Sequence, residues 1–176
     1  MQTKTTLLPL LLLGLAACGG ATDPATQVDA GYSALSAGDH AAAVTSFEGA
    51  LAGLEAGTPQ HLDAKLGQIQ ALCYTDPGSA SQELLGLSKD SGVKAGDYNK
   101  VVTELVAAAQ AKAATDTDQA SATINEAVAI LTKGKETFPD YDKWDALIKK
   151  TGDRAASLGS GDALEALKGL GYVGGD

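Results

Sequence analysis

Apolar residues recur along most of the chain at the 3.6-residue period of a helix, and the pattern breaks at short polar turns. The sharpest instance is residues 31–51, GYSALSAGDHAAAVTSFEGAL. On its first limb Val28, Tyr32 and Leu35 fall at i, i+4 and i+7, one stripe of an amphipathic helix. Gly31 beside them is a small position that lets a neighbouring helix approach. Gly38 stops the limb, and Asp39 is placed to cap the next one by accepting from its free N–H groups. The second limb sets Ala43, Val44, Phe47, Ala50, Leu51 and Leu54 at helical spacing and ends at Gly57. Small residues at 43 and 50 allow helix contact while Phe47 fills the wedge. An antiparallel helical hairpin is expected.

The same logic returns downstream. Thr58-Pro59 offers a cap followed by proline at the first helical position, and Leu62, Leu66, Ile69 and Cys73 form the next stripe, with Gly67 beside it. Asp76-Pro77 opens the partner limb, carrying Ala80, Leu84 and Leu87. After a polar, glycine-broken loop at 88–96, residues 97–114 read as a long helix with Val101, Val102, Leu105, Val106 and Ala109 inward. Residues 117–136 read as its partner, with Ala120, Ile124 and Ala127 at packing positions behind Asp116. Phe138-Pro139 ends that limb. Asp140 is expected to cap a shorter helix with Tyr141, Trp144 and Ile148 on one face and Lys149 and Lys150 near its C-terminal end. Residues 152–161 read as a glycine-rich connection to a short helix at 163–168, followed by a mobile ending in which Leu170, Tyr172 and Val173 are able to dock.

Gly31, the Gly38–Asp39 turn, Ala43, Phe47 and Ala50 stand where tetratricopeptide repeats carry their small residue, their Gly-Asp-Tyr turn and their Ala…Phe…Ala packing set, in units of about 34 residues. Gly67, Ala80, Leu84 and Leu87 in one later unit, and Ala120, Ile124 and Ala127 in another, occupy equivalent positions. Gln27 departs from the family's large apolar residue and His40 from its Tyr. Over roughly residues 24–139 the chain resembles this family. The resemblance implies an all-α fold, with antiparallel hairpins stacked as a short right-handed solenoid and C-terminal capping helices, Trp144 sealing the last edge. It also implies an interaction scaffold, whose first limbs offer Val28, Tyr32 and Leu35 as groove anchors for a protein or peptide partner. The same three side chains suit packing against the next hairpin.

The beginning of the chain changes the setting. Lys4 precedes an apolar run at 7–15 that is too short to span a bilayer, and Leu15-Ala16-Ala17-Cys18 follows. This string resembles the lipobox of bacterial lipoproteins. That resemblance implies a signal peptide at 1–17, diacylglycerol and palmitate on Cys18 and a lipidated tether at 18–23; the repeat resemblance and the glycine-rich composition add a repeat domain at 24–150 and a glycine-rich tail at 151–176. Two or three acyl chains hold a protein on a membrane where one does not. Gly19 resembles the residue that sends such proteins to the outer membrane, facing the periplasm.

Charge and chemistry narrow the classes further. The formal charge is −9, and removing residues 1–17 takes away Lys4 and no acid, giving −10. So acidic a surface disfavours nucleic acid and anionic headgroups. Cys73 is left without a disulfide partner and reads as a small buried hydrophobe. His40 and His61 sit at helix starts, as caps or facing water. No zinc spacing, calcium loop, phosphate-cradling turn or nucleophile motif is present, so neither an enzyme nor a bound cofactor or metal is expected. An alternative function is capture of a small molecule or lipid between the helices.

Overall fold

The computed structural model describes residues 23–87 and 91–174. The leader, Cys18 and the tether up to residue 22 lie outside the described residues. Among those residues the chain forms eight helices and no strand: α1 (Pro24–Ala37), α2 (His40–Gly53), α3 (Pro59–Thr75), α4 (Pro77–Gly86), α5 (Ala95–Lys112), α6 (Thr117–Thr137), α7 (Trp144–Leu158) and α8 (Gly161–Gly169). Their starts follow local chemistry. The Asp39 carboxylate accepts from the Ala42 N–H at 3.1 Å, Thr58 Oγ1 from His61 at 3.2 Å, Asp76 from Ser79 at 3.1 Å and Asp116 from Gln119 at 2.9 Å. Each such cap contributes about 1 kcal/mol. Pro24, Pro59 and Pro77 open their helices where a missing N–H costs nothing. Gly38 takes φ 76°, a left-handed turn that closes α1 and points the chain back as α2.

Consecutive helices pack on one another, α1 on α2, α2 on α3, α3 on α4, α5 on α6, α6 on α7 and α7 on α8. Odd-numbered helices touch in succession, α1 to α3, α3 to α5 and α5 to α7, making one continuous row. On the other side α4 meets α6 and α6 meets α8. Buried side chains form two clusters. A small one gathers Phe47 with Ala43, Ala50, Ala64 and Ala71; a larger one runs from Ile69 through Leu105 and Leu131 to Leu167. No described helix is long and apolar enough to cross a membrane.

What sets the helix spacing is a ring lodged against a helix glycine. A Cβ at Gly31 would sit 2.7 Å from Phe47 Cζ, and one at Gly67 would sit 2.5 Å from the same atom. One ring therefore fills notches on both α1 and α3. Tyr32 meets that ring edge-on, centroids 5.0 Å apart. Farther on, Trp144 and Tyr98 press on Gly134, and Tyr172 lies over Gly152.

Several expectations need correction. α2 ends at Gly53, so Gly57 belongs to the loop. Leu87 lies just past α4, half-buried against the larger cluster. α5 begins two residues before Asp97, whose carboxylate accepts from the Lys94 N–H at 2.7 Å. The largest difference is at the C-terminal end. Residues 140–143 are turn, α7 starts at Trp144, and it runs through Gly152 to Leu158. Lys149 and Lys150 thus lie mid-helix, and the expected boundary at 150/151 falls inside an element. Gly152 is no breaker because Tyr172 packs where its side chain would stand. The ending is docked as far as Tyr172, only 8 % exposed, while Val173 is 86 % exposed. Trp144 does not seal an outer edge. It is buried between α6 and α7, with Nε1 donating to the Phe138 carbonyl at 2.7 Å, and α8 with Tyr172 covers α7 beyond it.

Gly67→Ala is expected to destabilise the fold by about 1–3 kcal/mol, since the new methyl must displace a ring with no free space. Gly96→Ala, in α5 with nothing near its Cβ, is expected to stabilise by about 0.5–1 kcal/mol. Urea denaturation followed by circular dichroism checks both; equal shifts would rule out the notch as the source of the difference.

Candidate functional site

The row of odd-numbered helices brings polar, aromatic and charged side chains together. Between α1, α3 and α5 it opens a solvent-accessible cleft of about 280 Å³. Tyr32 and Leu35 come from α1, and Gln70 and Tyr74 from α3. Lys100 and Glu104 stand one turn apart on α5, and His40, the first residue of α2, closes one end. Each is placed by its helix. Residues 70 and 74, like 100 and 104, are i, i+4 neighbours and so share a face.

His40 is not a cap. Its ring lies flat on Tyr74, with centroids 3.8 Å apart and planes 2° from parallel. Its Nδ1 is buried without a hydrogen-bond partner. The Tyr74 hydroxyl donates to Glu104 Oε2 at 2.7 Å, tying α3 to α5. Burial first, and that neighbouring carboxylate second, push the Tyr74 hydroxyl pKa well above the usual tyrosine value. Tyr32 behaves alike: its hydroxyl donates to Asp63 Oδ1 at 2.9 Å, and burial together with Asp63 raises its pKa. Gln70 Nε2 donates to the Leu66 carbonyl at 3.0 Å, which fixes the amide at the cleft wall.

Of the three anchors read from the sequence, the structure brings two together. Tyr32 and Leu35 border this cleft, whereas Val28 lines a separate one of about 330 Å³ with Leu54 and Pro59. All three are half-buried and pack on the Phe47 cluster, so they support the first hairpin while showing an edge to solvent. The repeat-packing positions Gly31, Ala43, Phe47, Ala50, Gly67, Ala80, Leu84, Ala120, Ile124 and Ala127 are all buried. Residues 40, 74 and 104 went unread as a group. They lie on three helices, thirty or more positions apart, and no local pattern joins them.

The nucleophilic side chains near the cleft are engaged within their own helices. Cys73 is fully buried, its Sγ donates to the Ile69 carbonyl at 3.3 Å, and burial raises its thiol pKa, which leaves no thiolate for attack. The Ser36 hydroxyl donates to its own helix at Tyr32 O, 2.9 Å away. Among the described residues no three His, Cys, Asp or Glu side chains gather as a metal site. What remains is a flat aromatic pair, an amide, an ammonium and a carboxylate around an open trough.

Tyr74→Phe keeps the stack but removes the bond to Glu104, and is expected to cost about 1 kcal/mol at pH 7. The folded hydroxyl pKa is raised, so its contribution is complete below the unfolded value near 10 and fades as pH climbs above it. Wild type and variant should therefore converge in stability above about pH 10, as read by urea denaturation across pH; a constant difference would contradict the assigned bond. No family model matches the chain, and no curated protein or solved structure matches it either.

Proposed function

We propose that the chain is a tetratricopeptide-like lipoprotein of a bacterial cell envelope, serving as a scaffold that holds a peptide segment of a protein partner during assembly of an envelope or secreted complex. One observation carries this reading: successive first limbs α1, α3, α5 and α7 form an unbroken row, and an open polar-rimmed cleft with a stacked His40–Tyr74 pair lies on it. Pairing of each odd helix with the next even one, and the Phe47 ring between Gly31 and Gly67, support a short solenoid of helical hairpins. The Leu-Ala-Ala-Cys string supports lipidation at Cys18, and Gly19 supports the outer membrane facing the periplasm. The protein works without a catalytic centre, a cofactor or nucleic acid.

A specific observation favours capture of an apolar small molecule or lipid as a second reading. A cleft of about 540 Å³ lies between α4, α6 and α8, with Leu85, Val128, Ala129, Ala163 and Ala166 among its lining residues. Native mass spectrometry of protein purified from its own membrane separates the two: a copurifying lipid-sized ligand favours the second.

Two outcomes test the main proposal. Cys18→Ser is expected to abolish palmitate incorporation and release the protein from the membrane fraction; retention of both would remove the anchor. A photocrosslinking residue at Lys100, on the groove face, is expected to give adducts in living cells, while the same residue at exposed Ala122 on α6 gives none. Equal or absent labelling at the two positions, in a folded protein, would overturn the groove.

A further inference from the structure

The α5 helix has a second cleft on its other flank. It holds about 420 Å³ between α5 and α7, with Val106 and Gln110 on one wall and Lys149, Lys150, Asp153 and Arg154 on the other. In a chain of 22 acids and 13 bases, three cations on one helix face stand apart. The whole stretch between Lys4 and Lys65 holds no Lys or Arg.

How these charges are partnered matters more than their number. Arg154, the chain's only arginine, is held by neutral acceptors. Its Nη2 donates to Gln110 Oε1 at 2.7 Å and its Nη1 to Ser157 Oγ at 3.4 Å. Those bonds fix the guanidinium across the cleft, with no carboxylate within ion-pair distance among the described residues, a fork pre-set for a carboxylate. The Lys150 ammonium is exposed, with no carboxylate within ion-pair distance among the described residues. Lys149 alone is neutralised, by Asp153 Oδ2 at 2.7 Å, and that carboxyl also receives the Tyr172 hydroxyl at 3.3 Å. The Lys149 bond holds the Asp153 carboxyl below its ordinary range, so it stays an anion locked in place. Two unsatisfied cations at positions 150 and 154 therefore lie one helical turn apart.

We propose that this cleft binds the carboxylates of an acidic peptide segment whose neighbouring residues occupy the His40–Tyr74 cleft. The inference rests on the groove reading and adds the chemistry of its occupant. Both clefts open beside the same exposed strip of α5, which carries Lys100, Ala107, Gln110 and Ala111. A helix is about 10 Å across, and an extended chain advances about 3.3 Å per residue. The clefts are also offset along α5, from Lys100 and Glu104 to Gln110, at about 1.5 Å per residue. About four to six residues then separate an apolar or aromatic side chain seated near His40 and Tyr74 from an acidic pair seated on Lys150 and Arg154. The exposed methylene stems of α7 and the Ala146 methyl give that stretch a surface to lie on.

The test is fluorescence anisotropy at low salt. The probe is a labelled dodecapeptide with a Leu-Tyr pair followed, three residues on, by four Glu, and its control carries Gln in place of Glu. The Glu peptide is expected to bind at least about tenfold tighter than the Gln peptide, and to lose about tenfold in the double variant Lys150→Gln/Arg154→Gln. Lys168→Gln, on α8, should stay within about twofold, since a distant rim charge contributes little. Circular dichroism confirms that each variant is folded. Equal binding of the two peptides, or an unchanged affinity in the double variant, overturns the acidic occupant; the groove then stands or falls on the Lys100 crosslink. Two further outcomes overturn the proposal. One is binding to phosphatidylglycerol vesicles that the double variant loses while neither peptide binds. The other is concentration-dependent dimerisation by analytical ultracentrifugation that the double variant abolishes, which would make the acidic first hairpin of a second copy the occupant.

Discussion

The Phe47 ring determines how closely the first three helices meet. It has no accessible surface, and it occupies notches at Gly31 on α1 and Gly67 on α3 while belonging to α2. Exchange either glycine for any other residue and the axes must part. The same device recurs where Trp144 and Tyr98 bear on Gly134, and where Tyr172 bears on Gly152. With only two Phe, five Tyr and one Trp in the chain, and so many buried alanines, bulky rings fix the spacing that small residues alone leave loose. The row of odd helices, and hence both clefts beside α5, inherits its geometry from these contacts.

That device explains what could be read in advance and what could not. Caps and prolines are local, so the starts of α2, α3, α4 and α6 were visible from Asp39, Thr58-Pro59, Asp76-Pro77 and Asp116. Phe47 with its flanking alanines carried enough periodicity to be placed in the core. Gly152 misled, because a glycine within a helix costs about 1 kcal/mol against alanine and is fairly read as a break. The compensating contact comes from Tyr172, twenty positions away. Val93 was assigned to a polar loop yet is 3 % exposed, and Tyr98 was not named among the inward residues of its helix yet is buried beside Phe138. In each case the deciding partner was distant in sequence.

The site was legible only at one edge. Tyr32 and Leu35 could be named because they share a helix stripe with the hairpin's own packing set. The His40–Tyr74 stack, the Tyr74–Glu104 bond and the Arg154–Gln110 bond each join helices from different hairpins. Such pairs follow from how hairpins stack, and the spacing of residues within any one helix does not encode them. The charges were visible, but not their partnering: an arginine satisfied by an amide looks the same in sequence as one neutralised by a carboxylate.

The two buried clusters have a mechanical consequence. The fully buried part of the Phe47 cluster is one ring and four alanines, edged by half-buried residues such as Val28, Tyr32 and Leu35, whereas the larger one contains most of the buried Leu, Ile and Val side chains. α3 divides between them, giving Ala64 and Ala71 to one and Ile69 and Cys73 to the other. A pull applied ahead of Pro24 loads the thinner side first. Under tension α1 and α2 would peel away as a unit, lengthening the molecule, while the remaining helices hold their shape behind them.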